Sequence, residues 1–358
     1  MKLRQWIWFL LGVLALLIRG LGSNFPVQTD KIYSRGLFPY IRITFDYTLG
    51  KLPFPSVFLF IAFILLLILL FFRGFYRKKG LKQRLSFFFR AILNFAGGLL
   101  FFFMLLWGFN YQRTPVSQQL GLSAKPLELH EMKAGIEENY RELLLLRQQL
   151  KSDTLPIVPE LAYQELESEV RDILEDQLPS LGLSFLGKPR TKLFPPPGLM
   201  RRLGILGIYF PYVGESYIDP TLHPLEKPFT IAHEMAHSFG VTDEGEANFV
   251  AWVVGSQSKN PLLGYSASLR LFLYQVRDYY RMAPDEYLSW IQNLDRGVLN
   301  DIRSIQERAA QYPPFSLEIS RKTNDLFLKS QGVKSGVLSY QELPMLVKAW
   351  KEKKQFLN

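Results

Sequence analysis

The chain has 358 residues, enough for one large domain or two smaller ones. It contains no cysteine, which excludes disulfides, thiolate metal sites and thiol catalysis, so any metal must be held by histidine and carboxylate. The net charge of +10 is uneven: Met1–Phe109 carries 14 Lys and Arg against Asp30 and Asp46 alone, while the remainder is close to neutral. Basic charge interleaved with long apolar runs marks membrane topology, and nucleic acid is not an expected partner.

Trp6–Ile18 is an apolar run closed by Arg19 and preceded by Lys2 and Arg4. No small-x-small cleavage site follows, so it reads as a short uncleaved anchor with interfacial Trp6 and Trp8 and a snorkelling Arg19. Phe54–Phe72 and Ala91–Phe109 are each 19 residues long without a charge, close to the ~20 residues a bilayer requires of a helix. Three transmembrane helices are therefore predicted near 5–22, 54–72 and 88–109, forming a membrane domain over 1–109. Arg73, Arg77, Lys78, Lys79, Lys82 and Arg84 crowd the connection between the second and third spans, with no acid among them. The positive-inside rule places that loop and Met1 in the cytoplasm and everything after Asn110 outside it.

Residues 110–126 read as a proline-containing linker, and 127–358 as a large extracytoplasmic domain. Apolar spacing predicts helices over 127–150 and 159–178. The stretch 187–204, with Pro195-Pro196-Pro197, reads as loop, and Gly207–Asp219 is the one strand-rich region. Further helices are expected over 266–281, 284–310, 317–332 and 340–351. The fold class is thus mainly α, with three N-terminal transmembrane helices and a helical domain that includes a small β-sheet.

Phe229-Thr-Ile-Ala-His-Glu-Met-Ala-His-Ser-Phe-Gly240 carries the chemistry. On a helix, His233 and His237 share a face and can present two imidazoles to one zinc ion. Glu234 lies about 100° around the helix from His233, placed to take a proton from a zinc-bound water whose pKa falls to about 7. The flanking residues are uncharged, as a buried helix requires. Gly240 is expected to end the helix in a left-handed turn. Three acids then compete to be the third protein ligand. Glu244 ranks first, because Asn248 follows it by one turn and can steady a ligand histidine from behind the metal. Glu246 ranks second, with an alternative role in bonding back to the Asp243 backbone N–H. Asp243 ranks third, since it also fits the N-cap of the next helix. An oxyanion donor is sought among Tyr265, Tyr279, Tyr280 and His223, and the strand-rich segment 209–217 is a candidate edge for peptide addition.

Gly-Ile-Tyr-Phe-Pro at 207–211, His-Glu-x-Ala-His-x-x-Gly at 233–240 and Glu-x-Glu-Ala-Asn-Phe at 244–249 together resemble a family of uncharacterised bacterial membrane proteins, a domain-of-unknown-function group. The likeness covers nearly the whole chain and implies a gluzincin-type zinc metallopeptidase with a zincin-like domain. The short gap from His237 to Glu244 departs from well-studied gluzincins and leaves the third ligand open. The resemblance implies a bacterial inner-membrane, multi-pass protein with its C-terminal domain in the periplasm or outside, cleaving a peptide or protein substrate. The competing expectation is a non-enzymatic membrane protein that keeps a structural metal site and binds a partner. A site of that kind has no use for a base such as Glu234.

Overall fold

The computed structural model describes residues 3–160, 162–183, 186–316 and 342–357, with single positions 318, 322 and 325. The helix expected over 317–332 lies outside the described residues but for those three positions. The chain divides into two compact units. The first comprises Met1–Thr114 with Leu186–Pro189 and Phe210–Glu215; the second comprises Pro115–Phe185, Arg190–Tyr209 and Ser216–Asn358.

In the first unit, three helices are long and apolar enough to cross a membrane: Leu3–Gly22, Val57–Tyr76 and Leu81–Leu106. The α-helical part of the first is α1 (Ile7–Gly22). The second and third are α4 (Val57–Tyr76) and α5 (Leu81–Leu106). Both helices run further into the basic connection than the uncharged runs indicated. Only Arg77–Gly80 remains as the turn, which Gly80 closes at φ 93°. Lys and Arg are good helix formers whose stems lie along apolar surface, so they extend these helices without penalty. The segment between the first two spans is also helical rather than a plain connection. α2 (Pro26–Thr29) runs through a π-helical stretch, Asp30–Leu37, into α3 (Phe38–Tyr47). Pro26 and Pro39 sit in the first turns of α2 and α3, where a missing N–H costs nothing.

α1 and α5 cross at two glycines. A Cβ on Gly12 would lie 2.6 Å from the Gly97 Cα, so the two backbones touch. This is the close approach that small residues permit between membrane helices. Asn94 reinforces it by accepting a hydrogen bond from Phe9 N and donating one to Gln5 O at 2.9 Å.

The second unit is mainly helical around a small sheet. α6 (Val116–Gln119) lies in the expected linker. α7 (Leu129–Leu150) and α8 (Tyr163–Gln177) fall within the helices read from periodicity. The stretch 187–204 is not all loop, since it contains β1 (Thr191–Leu193) and α9 (Leu199–Arg202). Segments of three and four residues carry too little periodicity to be legible. β2 (Gly207–Phe210) and β3 (Glu215–Ile218) follow, and the sheet order is β1-β3-β2. β1 runs parallel to β3, with Thr191 opposite Ser216.

Next come α10 (Lys227–Ser238), α11 (Glu244–Ser256) and α12 (Pro261–Met282). α12 begins earlier than its apolar pattern indicated, because the Asn260 side chain accepts from Leu262 N and Pro261 opens the first turn. The single helix expected over 284–310 is two, α13 (Pro284–Ile291) and α14 (Arg296–Ala310), separated where Asp295 caps α14 through Val298 N. α15 (Leu343–Leu357) completes the described chain.

The main core gathers α10, α11 and β3 with α8, part of α12 and α15. α10 is buried on every face from Pro228 to Ser238, the condition of a helix at the centre of a domain rather than on its surface. A second core joins α7, α12 and α14. Within it the buried ion pair of Arg147 and Asp301 (2.9 Å) is completed by hydrogen bonds to Asp301 from Tyr265 OH and Ile157 N.

Candidate metal centre

The site is built on α10, the turn after it, and the first residue of α11. Gly240 takes φ 79°, a conformation that favours glycine, and Val241 N bonds back to Ala236 O at 3.2 Å. The chain then reverses into α11, which starts at Glu244 just after Asp243. The Asp243 carboxylate accepts from Glu246 N at 3.0 Å and serves as the N-cap. This arrangement fixes which acid faces the histidines.

The facing acid is Glu244. His233 Nε2 lies 3.1 Å and His237 Nε2 3.4 Å from Glu244 Oε2, and the two Nε2 atoms are 3.2 Å apart. Among the described residues these three form a group whose ligand atoms all lie within 4.8 Å of one another. The imidazole rings stand at 90° to each other. The His237 Nδ1–H donates to Val241 O at 2.7 Å, which turns Nε2 toward the centre of the group. The same turn that reverses the chain therefore also orients a donor atom.

Glu244 and the two imidazoles are coupled electrostatically. Burial pushes Glu244 toward its neutral form, but the charge of His237 and hydrogen bonds from both imidazoles outweigh it and hold the carboxyl well below the usual range. Burial pushes His237 down, while the Glu244 carboxylate outweighs that and raises it to about 9. His233, under burial above all, is held below its ordinary value. His237 is the positive partner of the buried Glu244 carboxylate, and two imidazole nitrogens with one carboxylate oxygen form a donor set that could hold zinc. With three protein donors, a fourth position is left for water or substrate.

Glu234 lies beside this group. No described residue donates a hydrogen bond to its carboxylate, which is nonetheless buried. Burial raises it to about 8; His237 pulls against that shift and Glu244 adds to it. Its backbone carbonyl accepts from Ser216 Oγ at 2.8 Å, which ties α10 to β3.

The other candidates have different surroundings. Asp243 is the α11 cap; burial and the neighbouring Glu246 raise it to about 7. The Glu246 carboxylate does not take the expected bond from the Asp243 backbone. It accepts instead from Val116 N (2.9 Å), Ser117 N (2.8 Å) and Ser117 Oγ (2.8 Å) at the start of α6. A partner 129 residues away in sequence leaves no local signal. Asn248 donates to the Tyr274 hydroxyl at 3.4 Å. The Tyr265 hydroxyl donates to Asp301, Tyr279 packs against Tyr287 and Trp290, and Tyr280 is exposed. His223 accepts at Nδ1 from Leu225 N and meets Ser304 Oγ at Nε2. Sequence reasoning missed Arg270, whose guanidinium lies over the rings of Phe229 and Tyr274 and whose charge helps to lower His233. It also missed Gly207, against which the Glu234 carboxylate packs.

A model of the family described as "Protein of unknown function (DUF3810)" matches residues 33–348, and the chain belongs to that family. No curated protein and no solved structure matches the chain.

Proposed function

We propose that this chain is a membrane-anchored zinc metallopeptidase with a zincin-like domain, acting on peptide or protein substrates at the extracytoplasmic face of a bacterial inner membrane. One observation carries the reading. His233 Nε2, His237 Nε2 and a Glu244 oxygen converge within 4.8 Å, next to a buried Glu234 carboxylate to which no described residue donates a hydrogen bond. His233, His237 and Glu244 would hold the zinc, which supplies an activated water and polarises the scissile carbonyl. Glu234 accepts a proton at its carboxylate and returns it to the departing amine nitrogen. Burial of α10 from Pro228 to Ser238 keeps bulk water away and strengthens these charges. Asp243 holds the first turn of α11, so that Glu244 meets both imidazoles.

The test is metal analysis of the purified full chain, with a peptide-hydrolysis screen before and after chelation. About one zinc per chain and activity lost on chelation and restored by zinc are expected. Glu234→Gln is expected to retain zinc while hydrolysis falls ~100- to 10,000-fold, the usual worth of a positioned base. Full hydrolysis by that variant would remove Glu234 from the mechanism.

A further inference from the structure

Gly207 opens β2, where glycine is an unfavourable strand residue and usually marks a close approach. Its backbone does not ask for glycine, since Gly207 does not take a positive φ. The reason lies in what faces it. A Cβ built on Gly207 would sit 2.6 Å from both Cγ and Cδ of Glu234 and closer still to Oε1. All three of the nearest atoms belong to that one side chain. Strand alternation puts position 207 on the same face as the buried Tyr209, while Ile208 between them is exposed. The missing side chain is therefore on the inner face of the sheet, where the carboxyl arm of Glu234 lies.

The overlap falls on side-chain atoms, Cγ as well as the carboxyl group, and not on backbone. Relief with α10 and β2 left in place therefore requires the whole Glu234 arm to turn about its Cα–Cβ bond, which carries the carboxylate away. That carboxylate has no hydrogen bond from a described residue to hold it, so shape alone confines it on this side. Resting on the zinc-peptidase reading, we propose that Gly207 is a positioning residue: its bare backbone is the seat that holds the Glu234 carboxylate beside the His233, His237 and Glu244 group, where it would serve a metal-bound water.

Cobalt(II) substituted into the full chain in detergent gives a readout independent of substrate. Its visible absorption follows the protonation of whatever occupies the open coordination position, and a carboxylate beside that position shifts the midpoint of the pH titration. Glu234→Gln is expected to shift that midpoint, and Gly207→Ala to shift it in the same direction with cobalt content unchanged. Rescue is read by thermal unfolding. The loss of melting temperature caused by Gly207→Ala is expected to shrink when Glu234→Ala is already present, because the overlapping atoms are gone. Should Gly207→Ala alone fail to fold, the double variant still decides: folding like Glu234→Ala supports the contact, and failing equally overturns it. A cobalt titration of Gly207→Ala that matches wild type, while that of Glu234→Gln shifts, would overturn the positioning role and leave the metal reading intact. No cobalt bound by the wild-type chain would instead remove the metal reading, and this role with it.

Discussion

Glu244, Glu246 and Asp243 stand within four residues of one another, yet they have three different surroundings. Their substitutions to alanine should separate accordingly. Glu244→Ala is expected to empty the metal site, because two imidazoles alone hold zinc poorly. Glu246→Ala should retain metal and lose stability, since Val116 N–H and Ser117 N–H are left without their acceptor at a cost of about 1–3 kcal/mol per buried group. Asp243→Ala should also retain metal and lose about 1 kcal/mol, the usual worth of an N-cap. Bound zinc and thermal unfolding, measured on each variant, check the pattern. Metal lost from Glu246→Ala or Asp243→Ala but not from Glu244→Ala would reassign the ligand. The sequence narrowed the choice to these three by type and position. What it does not carry is the partner of Glu246, because Ser117 becomes its neighbour only after α6 and α11 have packed.

At the scale of elements, the unit that matters is α10, the Gly240 turn and α11. Its existence was legible locally, in the i, i+4 histidines, the uncharged flanks that allow burial on every side, and a glycine where the helix must stop. The turn does two things, reversing the chain and offering Val241 O to His237 Nδ1. Gly240→Ala is therefore expected to destabilise the fold by about 1–2 kcal/mol, the cost of a Cβ in the left-handed region, and to weaken metal binding as well. Calorimetric unfolding with and without zinc separates the two effects: the variant's loss should be larger in the zinc-loaded protein. Equal losses would show that the turn serves the fold alone. The short elements β1 and α9 were not legible, because three or four residues give no period to read.

For the whole molecule, charge asymmetry carries the prediction of sidedness. Arg73, Arg77, Lys78, Lys79, Lys82 and Arg84 cluster at the ends of α4 and α5, where the positive-inside rule has most weight. A reporter active only outside the cytoplasm, fused after Asn358, should be on, and a cytoplasm-only reporter at the same place should be silent. The opposite pattern would place the second unit inside the cell. Three apolar spans, a mainly helical remainder and the His233-Glu234-x-x-His237 pair were determined by the sequence itself, since hydrophobic length and helical period are local properties of a chain. The rotation of α11 that presents Glu244, the diversion of Glu246 to α6, and the contact of Gly207 with Glu234 across 27 positions were decided only by tertiary packing. Each depends on how surfaces distant in sequence meet in the core, and no local pattern of residues encodes that meeting.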